Sequence, residues 1–494
     1  MAQKSNSVYA SIFVIMTILT VLFLGRCSAT NEKTDKEENS DMTTVLPPIK
    51  MVLPDDSYLF LPLEDIGFQL VFTEEVDPDV VESAVSFEPE LDFTVQNTKG
   101  QYVKEVHLRL QEKLQSQTKY TLRIKDVENE VTGKSETIQL TYHTEFQGDK
   151  QIADLQWSHD GKEILYLVRS ERSDTAELWK VSVKDGNEQL VATEVAWPGR
   201  ASWSPDDSTI LYTKMIALPD KNYSIPEVRS VKKRGREENI IVSAEDLKEI
   251  TYDDYPVNVY SWWSPDGKKI ALQLDMAGED AHSDLPRFMA TVDSDGKDLQ
   301  KIEGEIFVGW QKANKLMALK THKSYNHSRS YRYDLFLVQV NEKELIQLLL
   351  GEGQISNLDR FSQSSDLEIL ATSHWKSLNV VNSFKMEGTE IFLYNIEQNF
   401  RVPISMDSGY QKHPDVDISG ERVAFTSNKE GSWDIYLWEN GTITQITTGP
   451  AHELYPAWSP KGDKLAFIST RSGKEEIWLL ELSSGNLEHL IGLE

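Results

Sequence analysis

Six histidines fall between residues 282 and 452: His282, His322, His327, His374, His413 and His452. Imidazoles drawn to one point would bind a divalent metal, with Asp280 or Asp284 as oxygen ligands. The same region carries "SYNHSRSYRYD", in which Tyr325 and Tyr331 would stack on sugar rings or on a partner peptide, while Tyr333 leads into the next strand. Against the metal stands a plainer chemistry. Histidine is a common polar loop residue, and His413 and His452 stand just ahead of predicted strands, where a ring nitrogen bonds main chain. The reading adopted is therefore ligand binding with no metal and no cofactor. What decides the matter is the framework that holds these loops.

That framework is written as a repeat. "LQWSHDGKEILYL" at Trp157, "ASWSPDDSTILYT" at Trp203, "SWWSPDGKKIALQ" at Trp263 and "PAWSPKGDKLAFI" at Trp458 share one pattern, with weaker copies at Trp310, Phe361 and Val416. In each copy an apolar strand ends in an aromatic or apolar residue. Ser-Pro-Asp-Gly then makes a tight turn, with Pro fixing φ, Asp bonding back to the main chain and Gly taking the positive-φ position. Alternating apolar residues form the next strand, and a second hairpin such as "DIYLWENGTITQITT" completes the unit. Four strands per unit of about 40 to 60 residues is the pattern of a propeller blade, which cannot bury its two faces alone. The count is seven blades, or six if one degenerate copy is discounted.

The repeats "WSPDGKKIAL", "FTSNKEGSWDIYLW" and "WSPKGDKLAFISTRSGKEEIW" resemble those of TolB-like, WD-related β-propellers over roughly residues 150–494. The resemblance implies a bacterial periplasmic or surface protein. Because TolB itself has six blades, a count of seven implies a relative. Oligogalacturonate-lyase enzymes resemble the same propellers and use a metal pocket, which supplies the rival function.

Before the propeller, residues 46–147 show period-2 strands: "FQLVFTEEVDPDVVESAVSFEPELDFTV", "VHLRLQEKLQSQTKYTLRI" and "TIQLTYHTEF". Their order, with Leu114 to Thr121 as the late strand motif, resembles bacterial Ig-like modules of surface-layer type. Such a β-sandwich implies a spacer or adhesive stalk. Residues 1–29 contain the uncharged run Val8 to Gly25, and read as a signal peptide or membrane anchor. The single cysteine, Cys27, follows this run in "LFLGRCSA". The setting resembles a bacterial lipoprotein box in which Cys27 is acylated, although Arg26 replaces the usual small residue. An uncleaved anchor and ordinary cleavage before Thr30 are the alternatives. Residues 30–45 form a polar, flexible tether.

Bulk properties trim the partners. With 79 acidic against 51 basic side chains and a formal charge of -28, the average surface repels polyanions, so nucleic acid is excluded as a partner. No Gly-x-Ser-x-Gly, Walker loop, zinc-type cysteine cluster or His-Glu-x-x-His occurs. The basic run Arg229 to Arg236 would grip an anionic polymer, or else lie as a solvated loop.

Second turns are short in blades 1, 6 and 7 but long and dissimilar in blades 2 to 5, and variable loops on a rigid scaffold are where binding is placed. The expectation is an all-β protein, an Ig-like sandwich then a propeller, tethered to the cell envelope or secreted. Its loop-rich face at blades 2 to 5 would bind a protein or polysaccharide of the envelope, and the membrane is met only through the N-terminal anchor or lipid. The alternative is a metal-dependent lyase or hydrolase of acidic polysaccharide using His282, His322, His374, His413 and His452.

Overall fold

The computed structural model describes residues 45–492 apart from 54–60, 62–65, 98–100, 116–117, 130–131, 145–149, 171–172, 219–222, 236, 252–254, 277–286, 322–331, 343, 349–354, 357, 364–368, 381–382, 397, 399 and 405–409. The anchor or signal segment 1–29, its Cys27, and the tether up to residue 44 lie outside the described residues.

Residues 45–144 build two antiparallel sheets. One has the order Ile49–Leu53, Gly67–Val76, Val103–Leu110, Phe93–Val95; the other has Val85–Glu88, Lys119–Glu128, Ser135–His143. Alternation drives the packing. Phe68, Leu70 and Phe72 on one sheet and Tyr120, Leu122 and Ile124 on the other point into a shared core. The short helix Pro78–Ala84 closes one end, started by Asp77, whose carboxylate accepts from the Asp79 amide.

From residue 150 the strands fall into seven successive antiparallel meanders of four main strands: 150–196, 201–242, 258–302, 306–348, 358–404, 411–445 and 453–492; the Val195–Lys214 pair joins the first two into one sheet, and Ile355–Ser356 adds a short strand to the fourth. They are numbered blades 1 to 7 in that order. The first strands of most consecutive blades neighbour one another, that of blade 4 lies against the second and third strands of blade 3, and the first strand of blade 7 also lies against that of blade 1. Why a single blade cannot stand alone is visible in the strand Glu163–Ser170. Its alternate residues Ile164, Tyr166 and Val168 enter a cluster shared with blade 7, whereas Leu165 and Leu167 enter one shared with blade 2. Both faces are apolar, so both need a neighbour.

A tryptophan joins most neighbours. The indole N–H of Trp203 donates to the Gln156 carbonyl at 3.3 Å, that of Trp310 to Trp262 O at 3.4 Å, and that of Trp458 to Asp415 O at 3.0 Å. In each case the acceptor belongs to the preceding blade and lies one residue before the position matching the tryptophan. Ring closure uses the same device. Trp157 donates to Ala457 O at 3.1 Å, and the Ile152 amide donates to Glu475 Oε2 at 2.6 Å. Among the described residues blade 1 and blade 7 exchange no strand, and packing and these bonds hold the seam there.

The Ser-Pro-Asp-Gly turns behave as their chemistry dictates. In blade 3 the Ser264 hydroxyl and the Lys268 amide both donate to Asp266 Oδ1, and Gly267 sits at φ +68°. In blade 2 the positive-φ place is taken by Asp207, whose carboxylate accepts the amides of His159 and Asp160 at 2.9 and 2.8 Å and pairs with His159 Nδ1 at 2.8 Å. Neighbouring turns are thereby interlocked. Asp207→Gly, which tolerates that backbone, is expected to cost about 1–3 kcal/mol in chemical denaturation through two unsatisfied amides. A loss below about 0.5 kcal/mol would show that the turns sit side by side without holding one another.

Candidate functional site

Strands within a blade alternate direction, so the Ser-Pro-Asp-Gly turns emerge on one face and the second turns, with the blade-to-blade connections, emerge on the other. On that loop-bearing face, His282, His322, His327, Tyr325 and Tyr331 lie outside the described residues. His374 does not sit in a loop. It is on the strand Ile369–Val380, in register with Leu358 and Glu390, and its side chain is outside the described residues. The stretch expected to be blade 5's long second turn is instead a β-hairpin, because Ser377, Leu378 and Asn379 pair with Met386, Lys385 and Phe384. Its alternation of apolar and polar residues suits a strand better than a loop.

His413 and His452 belong to the framework, not to a pocket. His413 is buried in the strand Gln411–Val416 at φ +50°, stacked on Tyr455 with ring centres 4.0 Å apart. Thr426 donates its hydroxyl to Lys412 O, so it receives the proton of His413 Nδ1 at 3.1 Å. His452 accepts the Trp433 amide at Nδ1, 3.1 Å away, while its own amide donates to Thr470 Oγ1 at 2.8 Å. The expectation that both occupy inter-blade connections fails for His413, which is inside a strand. Two of the five imidazoles proposed as ligands thus serve the fold, and a three-histidine site would need all of His282, His322 and His374. Among the described residues, no group of three or more His, Cys, Asp or Glu is placed to hold a metal ion.

What the structure does gather on this face is aromatic and cationic. Aligning the first strands on their terminal aromatic, the position three residues earlier is Asp154, Arg200, Tyr260, Phe307, Leu358, His413 and Tyr455 in blades 1 to 7. Asp154, His413 and Tyr455 all adopt positive φ at a bulge of the first strand. One fixed column of a stereotyped repeat therefore carries six different residue types in seven blades. That variation is the signal by which the sequence marks the tier, and it was not used above.

Blades 1 to 3 make the tier a surface. Arg200 lies over the Trp262 ring at 5.9 Å, and Trp262 stacks with Tyr260 at 6.2 Å and with Phe307 at 4.4 Å. Arg169, at the loop-side end of its strand, lies over Trp197 at 5.1 Å. Beside them Tyr223 is 53% and Val257 48% exposed. The Tyr255 hydroxyl donates to Glu245 at 2.6 Å, and this carboxylate pushes the phenol's pKa up.

Two members of the basic run are spent internally. Arg229 pairs with Glu227 and Glu238, each at 2.6 Å, and Lys233 reaches Glu163 at 2.5 Å while covering Trp203. Neither side chain is left to grip a polyanion.

A ring of four-stranded blades with one loop-bearing face defines the class, a β-propeller in which His413 and His452 hold the scaffold. Within it, residues 373–492 match the family model described as the TolB beta propeller domain. Among solved structures, the β-propeller domain of the Trilobed protease from Pyrococcus furiosus, reported to have an open velcro topology, is 14% identical. The match covers 70% of this chain and 99% of that one, with a TM-score of 0.50. Pyrococcus horikoshii acylaminoacyl peptidase is also 14% identical at TM-score 0.50, over 70% of this chain and 52% of the peptidase, so the chain spans about half of that protein. An oligogalacturonate lyase in complex with manganese aligns at 13% identity and TM-score 0.45, over 74% of this chain and 98% of the lyase. A search of curated proteins finds no significant match. These likenesses concern the fold alone. No helix among the described residues is long and apolar enough to cross a membrane.

Proposed function

We propose that the protein is a non-catalytic propeller of the bacterial cell envelope, tethered or secreted, which binds a protein or polymeric partner through its loop-bearing face. The sandwich of residues 45–144 serves as its spacer. The observation that carries this reading is the patch of Arg169, Trp197, Arg200, Tyr260 and Trp262 beside exposed Tyr223 and Val257. Arginine, tryptophan and tyrosine are the side chains that dominate interface energies, and here their contacts hold them in place before a partner arrives.

The test is site-specific photo-crosslinking in the envelope fraction. A photoreactive residue replacing Tyr223 is expected to capture a defined partner, whereas one replacing Ile418, 51% exposed in a turn of the opposite face, captures none. The double variant Arg200→Ala/Trp262→Ala is expected to weaken capture at least about thirtyfold, the loss of roughly one interface hot spot, with its unfolding midpoint checked separately. Equal capture from both faces would remove the assignment.

A further inference from the structure

Of the five tryptophans that end a first strand, four donate their indole N–H to the preceding blade, and Trp263 does not. Its counterpart acceptor would be Ser202 O, yet Trp263 Nε1 is buried without a partner. The seam between blades 2 and 3 is thus the one where a tryptophan is present and its bond is missing. A cleft of about 590 Å³ opens at this same seam, on the turn-bearing face, with Trp263 in its wall. That volume lies within the range of small-molecule sites.

The lining narrows what would fit. Asp206 and Asp266 come from the two first turns, Asp295 from a turn of blade 3, and Lys232, Asn239 and Ile240 from the outer strands of blade 2. The turns use Asp206 Oδ1, which accepts from Ser204 and Ser208, and Asp266 Oδ1. The Ser204 hydroxyl, then the Ser208 amide, hold the Asp206 carboxyl down at about 2, so it is ionised at neutral pH. Lys297 pairs with Asp295 at 2.7 Å and Lys268 lies 3.8 Å from Asp266, so with Asp206 facing Lys232 the lining is close to neutral and suits an uncharged ligand. A simple cation offers no acceptor to the Asn239 amide. A peptide added as a strand meets an occupied edge, because Gly296 lies so close to Ile241 O that a β-carbon there would stand 2.7 Å from it. Hydroxyls both donate to Asp206 and accept from Lys232 and Asn239, and the C–H face of a sugar ring suits Pro205 and Ile240, the latter 55% exposed.

We propose that the cleft between blades 2 and 3 binds a short neutral saccharide. The site is independent of the partner surface on the opposite face. Calorimetric titration of the full chain with maltotriose, cellotriose and chitotriose, beside trigalacturonate, tests it. One neutral trisaccharide is expected to saturate a single site, trigalacturonate to give no saturable heat, and Asp206→Ala and Lys232→Ala each to weaken binding about tenfold or more. Absence of saturable heat from all three neutral sugars at about 10 mM, or a preference for trigalacturonate, overturns the proposal. So does binding indifferent to Asp206→Ala and Lys232→Ala. Calorimetry reports the cleft and cross-linking at Tyr223 reports the loop-bearing face, so either reading can fail alone.

Discussion

Trp433→Ala is expected to destabilise the protein by about 3–5 kcal/mol, the largest single loss foreseen for this chain. Trp433 is 1% exposed and belongs to the apolar cluster that joins blade 1 residues such as Ile152 and Tyr166 to blade 7 residues such as Leu454 and Ile468. A strand exchanged between first and last blades would tie this seam through main-chain ladders. Here it rests on side-chain packing, one indole bond and one amide bond to Glu475. Trp433 also fixes main chain on both sides, since its amide donates to His452 and its carbonyl accepts from the Glu453 amide at 2.7 Å. A neighbour able to collapse into the cavity would lessen the loss, but its framework is clamped by these bonds. Denaturant unfolding should show the first transition moving to lower concentration at constant slope. Trp433→Phe, which keeps most of the apolar volume, is expected to recover more than half of the loss. A loss below about 1 kcal/mol for the alanine variant would mean that the ring is closed by something other than this cluster.

The same seam shows which parts of the molecule were legible in the residues. Turn and core positions are dictated locally. Only Gly or a short polar residue takes the positive-φ turn position, and an aromatic fills the end of the first strand in every copy but the one ending at Val416, so most copies announce themselves. Function obeys no such local rule. His413 and His452 carry the same side chain as a metal ligand, and what sets them apart is the Thr426 hydroxyl, the Tyr455 ring and the Trp433 amide, all brought in by other strands. Blade 5's hairpin was mistaken for a loop because its mixed composition satisfies both readings until a partner strand is present. The Asp207 clamp could not be read from its turn, since the amides it receives lie 47 and 48 residues away. Likewise the cleft at Trp263 depends on a bond that is absent, and a sequence states which donors exist, not which of them are satisfied.

Asp434→Asn is expected to stabilise the protein at neutral pH, against the usual direction of core substitutions. Asp434 is 1% exposed at the start of the strand Asp434–Glu439. Burial raises its carboxyl to about 6, the Glu453 charge adds to the rise, and the Ser432 hydroxyl, at 2.9 Å, opposes it. Unfolded, the group titrates near 3.8. The folded state therefore binds the proton more tightly, and the stability this contributes is complete below about pH 4 and is lost as pH rises through 6. A shift of about two units corresponds to roughly 3 kcal/mol across that window. Asparagine keeps Oδ1 for the Thr447 hydroxyl and sets its amide against Ser432, whose hydroxyl also reaches the Gly449 carbonyl at 2.9 Å, and it carries no charge, so most of the neutral-pH cost should vanish. Unfolding midpoints measured from pH 4 to 8 should fall less steeply for Asp434→Asn than for the parent, and the two curves should diverge above pH 6. Parallel curves, with the variant no more stable at pH 7.5, would mean that Asp434 is ionised and satisfied where it lies, and that its hydroxyl partners outweigh its burial.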